Sequence, residues 1–236
     1  MPSDTPSLSS KPTSLIRSLF KMTWPMLFGV LSLMSFQLAD SAFIGQLGVA
    51  PLAAVGFTVP MYQLIIGVQV GLGIATTAVI SKALGADQTE HAKQLGGIVI
   101  IVGATLIALL CLVIWFARSP ILNLLGGEAD ILTTVSLYWK PWLISAWVGA
   151  MLYFGYSLCR AHGNTLLPGI TMVFTSLLNI ALDPLFIFVF DWGLAGAAYA
   201  TITSFVAGCL IIYPKVLSRH WLGFNLKTAS IIQSIK

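Results

Sequence analysis

Six apolar runs dominate the sequence, at residues 22–44, 51–80, 95–117, 131–158, 166–190 and 194–213. A bilayer core needs roughly 20 residues of helix rising 1.5 Å each, and every run meets that length. Lipid offers no partner to backbone N–H and C=O groups, so each run must satisfy them internally as a helix. Charge is scarce in support of this: 57% of the 236 residues are hydrophobic and 8% charged. A soluble domain carries about 25% charged residues to face water. The expected fold is therefore all-α, a polytopic bundle of six transmembrane helices, and a soluble globular domain is excluded.

The segments between the runs set the orientation. With the N-terminus in the cytoplasm, the inside segments hold Lys11, Arg17, Lys21, Lys82, Lys93, Arg160, Lys215, Arg219, Lys227 and Lys236. The outside loops hold Arg118, while Lys140 lies within the fourth run. This asymmetry follows the rule that Lys and Arg stay on the cytoplasmic side. It predicts a multi-pass protein of a bacterial inner membrane with both termini cytoplasmic. The basic residues are spread along the chain, so the net charge of +4 reads as topology and not as a nucleic-acid surface.

Three regions follow: an N-terminal arm at 1–21, a six-helix lobe at 22–213 and a cytoplasmic amphipathic linker at 214–236. Residues 1–14 are rich in Ser, Pro and Thr and read as disordered. The first run is too long for the apolar core of a signal peptide and reads as a retained anchor. Pro25 falls near the start of that run, where a first helical turn tolerates it. Pro60 is expected to kink the long second run. Cys111, Cys159 and Cys209 lie singly in or beside apolar runs and read as small buried hydrophobes. His91, His162 and His220 fall in loops or the tail and read as solvated. Gly67 and Gly71 form a G-x-x-x-G pair suited to helix packing, and Gly193, Gly196 and the nearby alanines at the start of the sixth run are small enough for the same use. Tyr138, Trp139, Trp142 and Trp147 read as an interfacial aromatic belt, part of which can line a cavity.

Ionisable groups inside a span are costly, by at least ~2.5–3.5 kcal/mol near the centre, and mark function. Asp40, Lys140 and Asp183 are such groups. Counted from the inside ends of their runs, Asp40 is about 27 Å and Asp183 about 25 Å along, while Thr201 is about 10 Å from the outside end of the sixth. All three fall in the outer half of the bilayer. Asn179 and Asp183, four apart, share a helix face, and so do Gln37 and Asp40, three apart. Carboxylates, amides and hydroxyls at one level make an all-oxygen set suited to a hard cation such as Na⁺. The same pair suits H⁺, because two close carboxylates resist carrying two charges. The expected site is Asp40, Asn179, Asp183 and Thr201, with Pro25, Gln37, Pro60 and Lys140 as cavity or hinge positions. Nothing here chooses between Na⁺ and H⁺. Apart from such a coupling ion no metal or cofactor is expected. No H-E-x-x-H, G-x-S-x-G or phosphate-binding loop is present, and no span holds a His, which argues against an enzyme.

Several strings, in this order, resemble the multidrug and toxic compound extrusion (MATE) family. They begin with Trp24-Pro25 and Asp40-Ser41-Ala42-Phe43-Ile44-Gly45-Gln46-Leu47-Gly48, followed by Leu52-Ala53-Ala54 and Ser81-Lys82-Ala83-Leu84-Gly85-Ala86. Further on come Leu178-Asn179-Ile180-Ala181-Leu182-Asp183-Pro184-Leu185-Phe186-Ile187-Phe188 and Gly193-Leu194-Ala195-Gly196-Ala197-Ala198-Tyr199-Ala200-Thr201. The resemblance implies one lobe of a twelve-helix transporter, whose two lobes are related by a pseudo-two-fold axis along the membrane normal. It implies exchange of Na⁺ or H⁺ for organic, often cationic, drugs by alternating access. It also implies a cation site in the N-terminal lobe, mapping to Asp40, Asn179, Asp183 and Thr201. The expected partners are membrane lipid, small-molecule drugs, and a missing C-terminal lobe or a second copy. The chain then reads as the first half of such an exporter. The alternatives are a half-size homodimeric transporter and a non-transporting membrane-assembly protein.

Overall fold

The computed structural model describes residues 12–124 and 129–223. They form seven α-helices and one π-helical turn: α1 (Pro12–Gln46), α2 (Val49–Gly85), α3 (Thr89–Phe116), α4 (Arg118–Leu124), α5 (Ala129–Ala161), α6 (Leu166–Pro184), the π-turn (Leu185–Val189) and α7 (Gly193–Ser218). No strand occurs among the described residues. Six of the helical segments are long and apolar enough to cross a membrane, α6 and the π-turn together counting as one.

Helix α5 is the axis of the bundle. It packs on α2, α3 and α7, while α1 packs on α6 and α6 on α7. The α5 span is 72% buried, against 17–39% for the other five, and it is also the least apolar of the six. The two facts share a cause. A helix facing lipid must be apolar outward, whereas a central helix meets only other helices and can carry Ser, Tyr and Trp. Glycines let its neighbours close in: a Cβ at Gly103 of α3 would strike Phe154, one at Gly149 Phe205, and one at Gly73 of α2 Tyr153 and Ser157. Several buried hydroxyls answer to the carbonyl one turn earlier, as in Thr76 to Leu72 (2.6 Å) and Thr171 to Leu167 (2.8 Å). In lipid no water would take that bond instead.

Helices α1 and α2 are joined by only Leu47 and Gly48, with Gly48 at φ 118°, a conformation that side-chain-bearing residues rarely adopt. Beyond that turn they hardly touch, so the lobe is open between them.

Several local expectations need correction. Helix α1 begins at Pro12, not near residue 22, so Pro25 is an interior residue and not a first-turn one. Hydropathy reports where lipid begins, whereas a helix continues for as long as its hydrogen bonds do. At Pro25 the helices α1 and α6 meet backbone to backbone: a Cβ on Gly169 would lie 2.5 Å from the Pro25 carbonyl oxygen. Helix α2 runs from Val49 to Gly85 with Pro60 inside it, a continuity compatible with the expected kink. Gly67 and Gly71 meet no neighbouring atom within 4 Å and do not pack within this lobe, whereas Gly196 does, against the Phe186 carbonyl. The fifth run is not one α-helix but changes to the π-turn at Pro184, which has no N–H to continue the ladder.

Of the linker expected at 214–236, residues 214–218 complete α7 and 219–223 follow it, while 224–236 lie outside the described residues, as do residues 1–11 of the N-terminal arm. The described part turns back under the bundle. Gly223 donates its N–H to the Lys93 carbonyl (2.8 Å), and Trp221 stacks on His162 with ring centroids 4.1 Å apart. His162 is therefore half-buried and not solvated. Cys111 and Cys159 are buried and Cys209 half-buried, all free thiols.

Candidate cation site and the cavity beside it

The site begins with the four-residue spacing on α6. Asn179 and Asp183 stand one turn apart, and both are buried, at 1% and 0% exposure. Their face turns toward α7, where Thr201 sits. The Asn179 carboxamide lies 3.2 Å from the Thr201 hydroxyl. With its nitrogen turned toward the carboxylate it donates to Asp183 Oδ2 at 3.0 Å, and Oδ1 then accepts from Thr201. The amide end is assigned by its partners, and in this orientation the nitrogen meets the carboxylate while the oxygen accepts from the Thr201 hydroxyl and backbone N–H, so both ends are satisfied. The other carboxylate oxygen, Oδ1, has no partner among the described residues.

Asp40 approaches from α1. It lines an open cavity of about 500 Å³ bounded by α1, α2, α5 and α7, together with Gln37, Tyr62, Tyr138, Trp142 and Thr201. Its Oδ1 is likewise buried and unpartnered among the described residues. Asp40 and Asp183 are close enough to repel when both are charged, and the Tyr138 hydroxyl is within electrostatic reach of both. Thr201 joins the two parts, since it faces the cavity and touches Asn179. The arrangement is a buried oxygen cluster that meets an aromatic-lined cavity at Thr201. It can exchange a small cation or a proton while the cavity holds something larger.

The structure brings Asn179, Asp183 and Thr201 into contact and sets Asp40 and Gln37 on the adjoining wall. It does not bring Lys140 there: Lys140 is exposed and lines a different groove, between α3 and α5. Pro25 and Pro60 line neither. Tyr138 and Trp142 are buried cavity walls, and Trp139 is buried in the core, so of the expected aromatic belt Trp147 alone is exposed. Tyr62 was not singled out by sequence reasoning. Its only signal is the one-turn spacing from Thr58, another lining residue of α2.

Residues 25–185 match the MatE family profile. The chain belongs to the MatE family. It is 30% identical over 213 residues to the FAD transporter of Shewanella oneidensis, covering 86% of this chain and 47% of that protein. It is 30% identical over 204 residues to the multidrug export protein MepA of Staphylococcus saprophyticus, covering 85% and 45%. Among solved structures, the MATE transporter VcmN of Vibrio cholerae in its bent form superposes with a TM-score of 0.91 at 60% identity, over 94% of this chain and 51% of that one. A multidrug-resistance MATE transporter in an outward-facing conformation superposes at 0.81 with 28% identity, over 89% and 47%. The chain spans about half the length of the relatives it matches. It is an all-helical, multi-pass membrane lobe of the MATE transporter type.

Proposed function

We propose that this lobe serves an antiporter that exports organic molecules in exchange for Na⁺ or H⁺. The observation that carries the reading is the join at Thr201 between the enclosed Asn179–Asp183 pair and the Asp40 cavity. Two repelling acids in low dielectric favour uptake of a cation or proton, and removal of that repulsion alters how α1, α6 and α7 pack. A bound ion shifts a conformational equilibrium only by its differential affinity for the two states. Drug and cation therefore need opposite preferences, and a change of charge on Asp40 and Asp183 supplies one.

The relatives' names, an FAD transporter and multidrug export proteins, support organic and often aromatic substrates, which the Tyr62, Tyr138 and Trp142 walls suit. The open side between α1 and α2 requires a second lobe, either from a longer polypeptide or from a second copy of the chain. In the cell the lobe resides in the bacterial inner membrane with both termini cytoplasmic, and it performs no covalent chemistry. The regions are an N-terminal arm, the lobe at 22–213 and the linker from 214.

The test is coupled efflux by the complete transporter in everted vesicles under imposed pH and Na⁺ gradients. Asp40→Asn and Asp183→Asn should each abolish gradient-driven export at near-normal expression. Because they serve one site, the double variant should lose little more than either alone. Wild-type export by Asp183→Asn under both gradients would overturn the assignment.

A further inference from the structure

Lys140 lies well inside the α5 span yet takes no part in the cation site. At 3.6 residues per turn it is about 160° around α5 from both Tyr138 and Trp142, which wall the cavity. It faces instead a groove of about 380 Å³ between α3 and α5, lined by Leu112, Trp115, Leu143 and Trp147. The groove is built, not incidental. The Trp147 indole donates to the Ala104 carbonyl of α3 at 3.1 Å, which pins its ring across the two helices. Trp115 carries the Arg118 guanidinium 4.4 Å above its ring. Thus Lys140 shares the groove with Trp115, and Arg118 stands over the ring of that same residue. Among the described residues neither has a carboxylate partner.

A lysine with an apolar groove below it and no counter-charge is expensive in lipid unless its ammonium reaches a phosphate. Lys140 is nine residues from the outer end of the fourth apolar run at 131, so its Cα is about 14 Å along the helix from that end. Its four-carbon stem, extended along the groove, and local thinning of the bilayer bring a phosphate within reach. We infer that the α3–α5 groove is a binding site for an anionic phospholipid, whose acyl chain lies against Leu112, Leu143 and Trp147 and whose phosphate pairs with Lys140 and Arg118. A neutral headgroup offers a phosphate too, but it brings its own cation, which two unpaired basic groups repel. The lipid belongs to the leaflet on the α4 side, the outer one in the proposed orientation. The groove faces away from the cavity on α5, so a lobe closing over the cavity leaves it free.

Native mass spectrometry of the 236-residue chain, released from micelles doped with either phosphatidylglycerol or phosphatidylcholine, tests this. Retained phosphatidylglycerol should exceed phosphatidylcholine about tenfold. Lys140→Gln should cut the excess several-fold, and Arg118→Gln should cut it by less. Ala108→Phe, which fills the groove without altering charge, should remove it as well. Inorganic phosphate should not compete. Equal retention of the two lipids, wild-type retention by Lys140→Gln, or displacement by inorganic phosphate would each overturn the proposal. Because the readout is lipid retention and not efflux, failure here is distinct from failure of the antiport reading.

Discussion

One ring contact ties the segment after α7 to the loop between α5 and α6. His162 Nδ1–H donates to the Leu158 carbonyl at 2.9 Å, and the ring stacks on Trp221 at an interplanar angle of 15°. Burial lowers the His162 pKa below its ordinary value, partly opposed by the bond to Leu158. The Arg219 guanidinium already sits 5.5 Å over the same Trp221 ring, which makes a second cation there unwelcome. The docked segment thus prefers neutral His162. Docking is at full strength above the ordinary histidine value of about 6.5 and weakens as pH falls through it, until His162 charges in the docked state as well. Hydrogen exchange of residues 219–223 should therefore accelerate on acidification relative to a His162→Phe variant at the same pH. An unchanging ratio between the two would show that the ring's charge has no bearing on docking.

Among the elements, the change from α6 to the π-turn matters most for the site, because it directly follows Asp183. Two features hold it. Phe190 donates to the Leu185 carbonyl five residues back (2.9 Å), and Trp192 donates to that of Phe186 (3.2 Å). Across from it, α7 comes so near that a Cβ on Gly196 would lie 2.6 Å from the Phe186 carbonyl oxygen. Gly196→Val must push the π-turn backbone away, an overpacking cost of roughly 1–3 kcal/mol. It should lower the melting temperature of the chain by several degrees, whereas Gly71→Val, in open space, should leave it unchanged. Equal melting of the two variants would mean that the close approach is not needed. Hydropathy made the six spans legible because it reports the solvent around a helix. It could not reveal the short α4 or the end of α6, because those are set by hydrogen bonds and by one missing N–H at Pro184.

For the molecule as a whole, orientation rests on the distribution of Lys and Arg alone. Ser119, in α4, and Gln88, between α2 and α3, are both exposed and lie at opposite ends of α3, while Cys111 and Cys159 are buried and should stay silent. In intact cells an impermeant maleimide should label Ser119→Cys and reach Gln88→Cys only after permeabilisation. The reverse pattern would invert the topology and move the Lys140 groove to the cytoplasmic leaflet. What the sequence by itself determined was one-dimensional: which stretches suit lipid, which residues share a helix face, and how deep each lies. Those follow from a fixed rise and a fixed period, which is why Asn179 and Asp183 could be paired and matched in depth with Thr201. Depth, however, says nothing of azimuth. Only packing decided that α6 turns its polar face to Thr201, that Tyr138 and Trp142 wall the cavity, and that Lys140 points away from the acids. Rotation of a helix about its axis is set by its neighbours: the glycines that admit α5, and the near-absence of contact between α1 and α2.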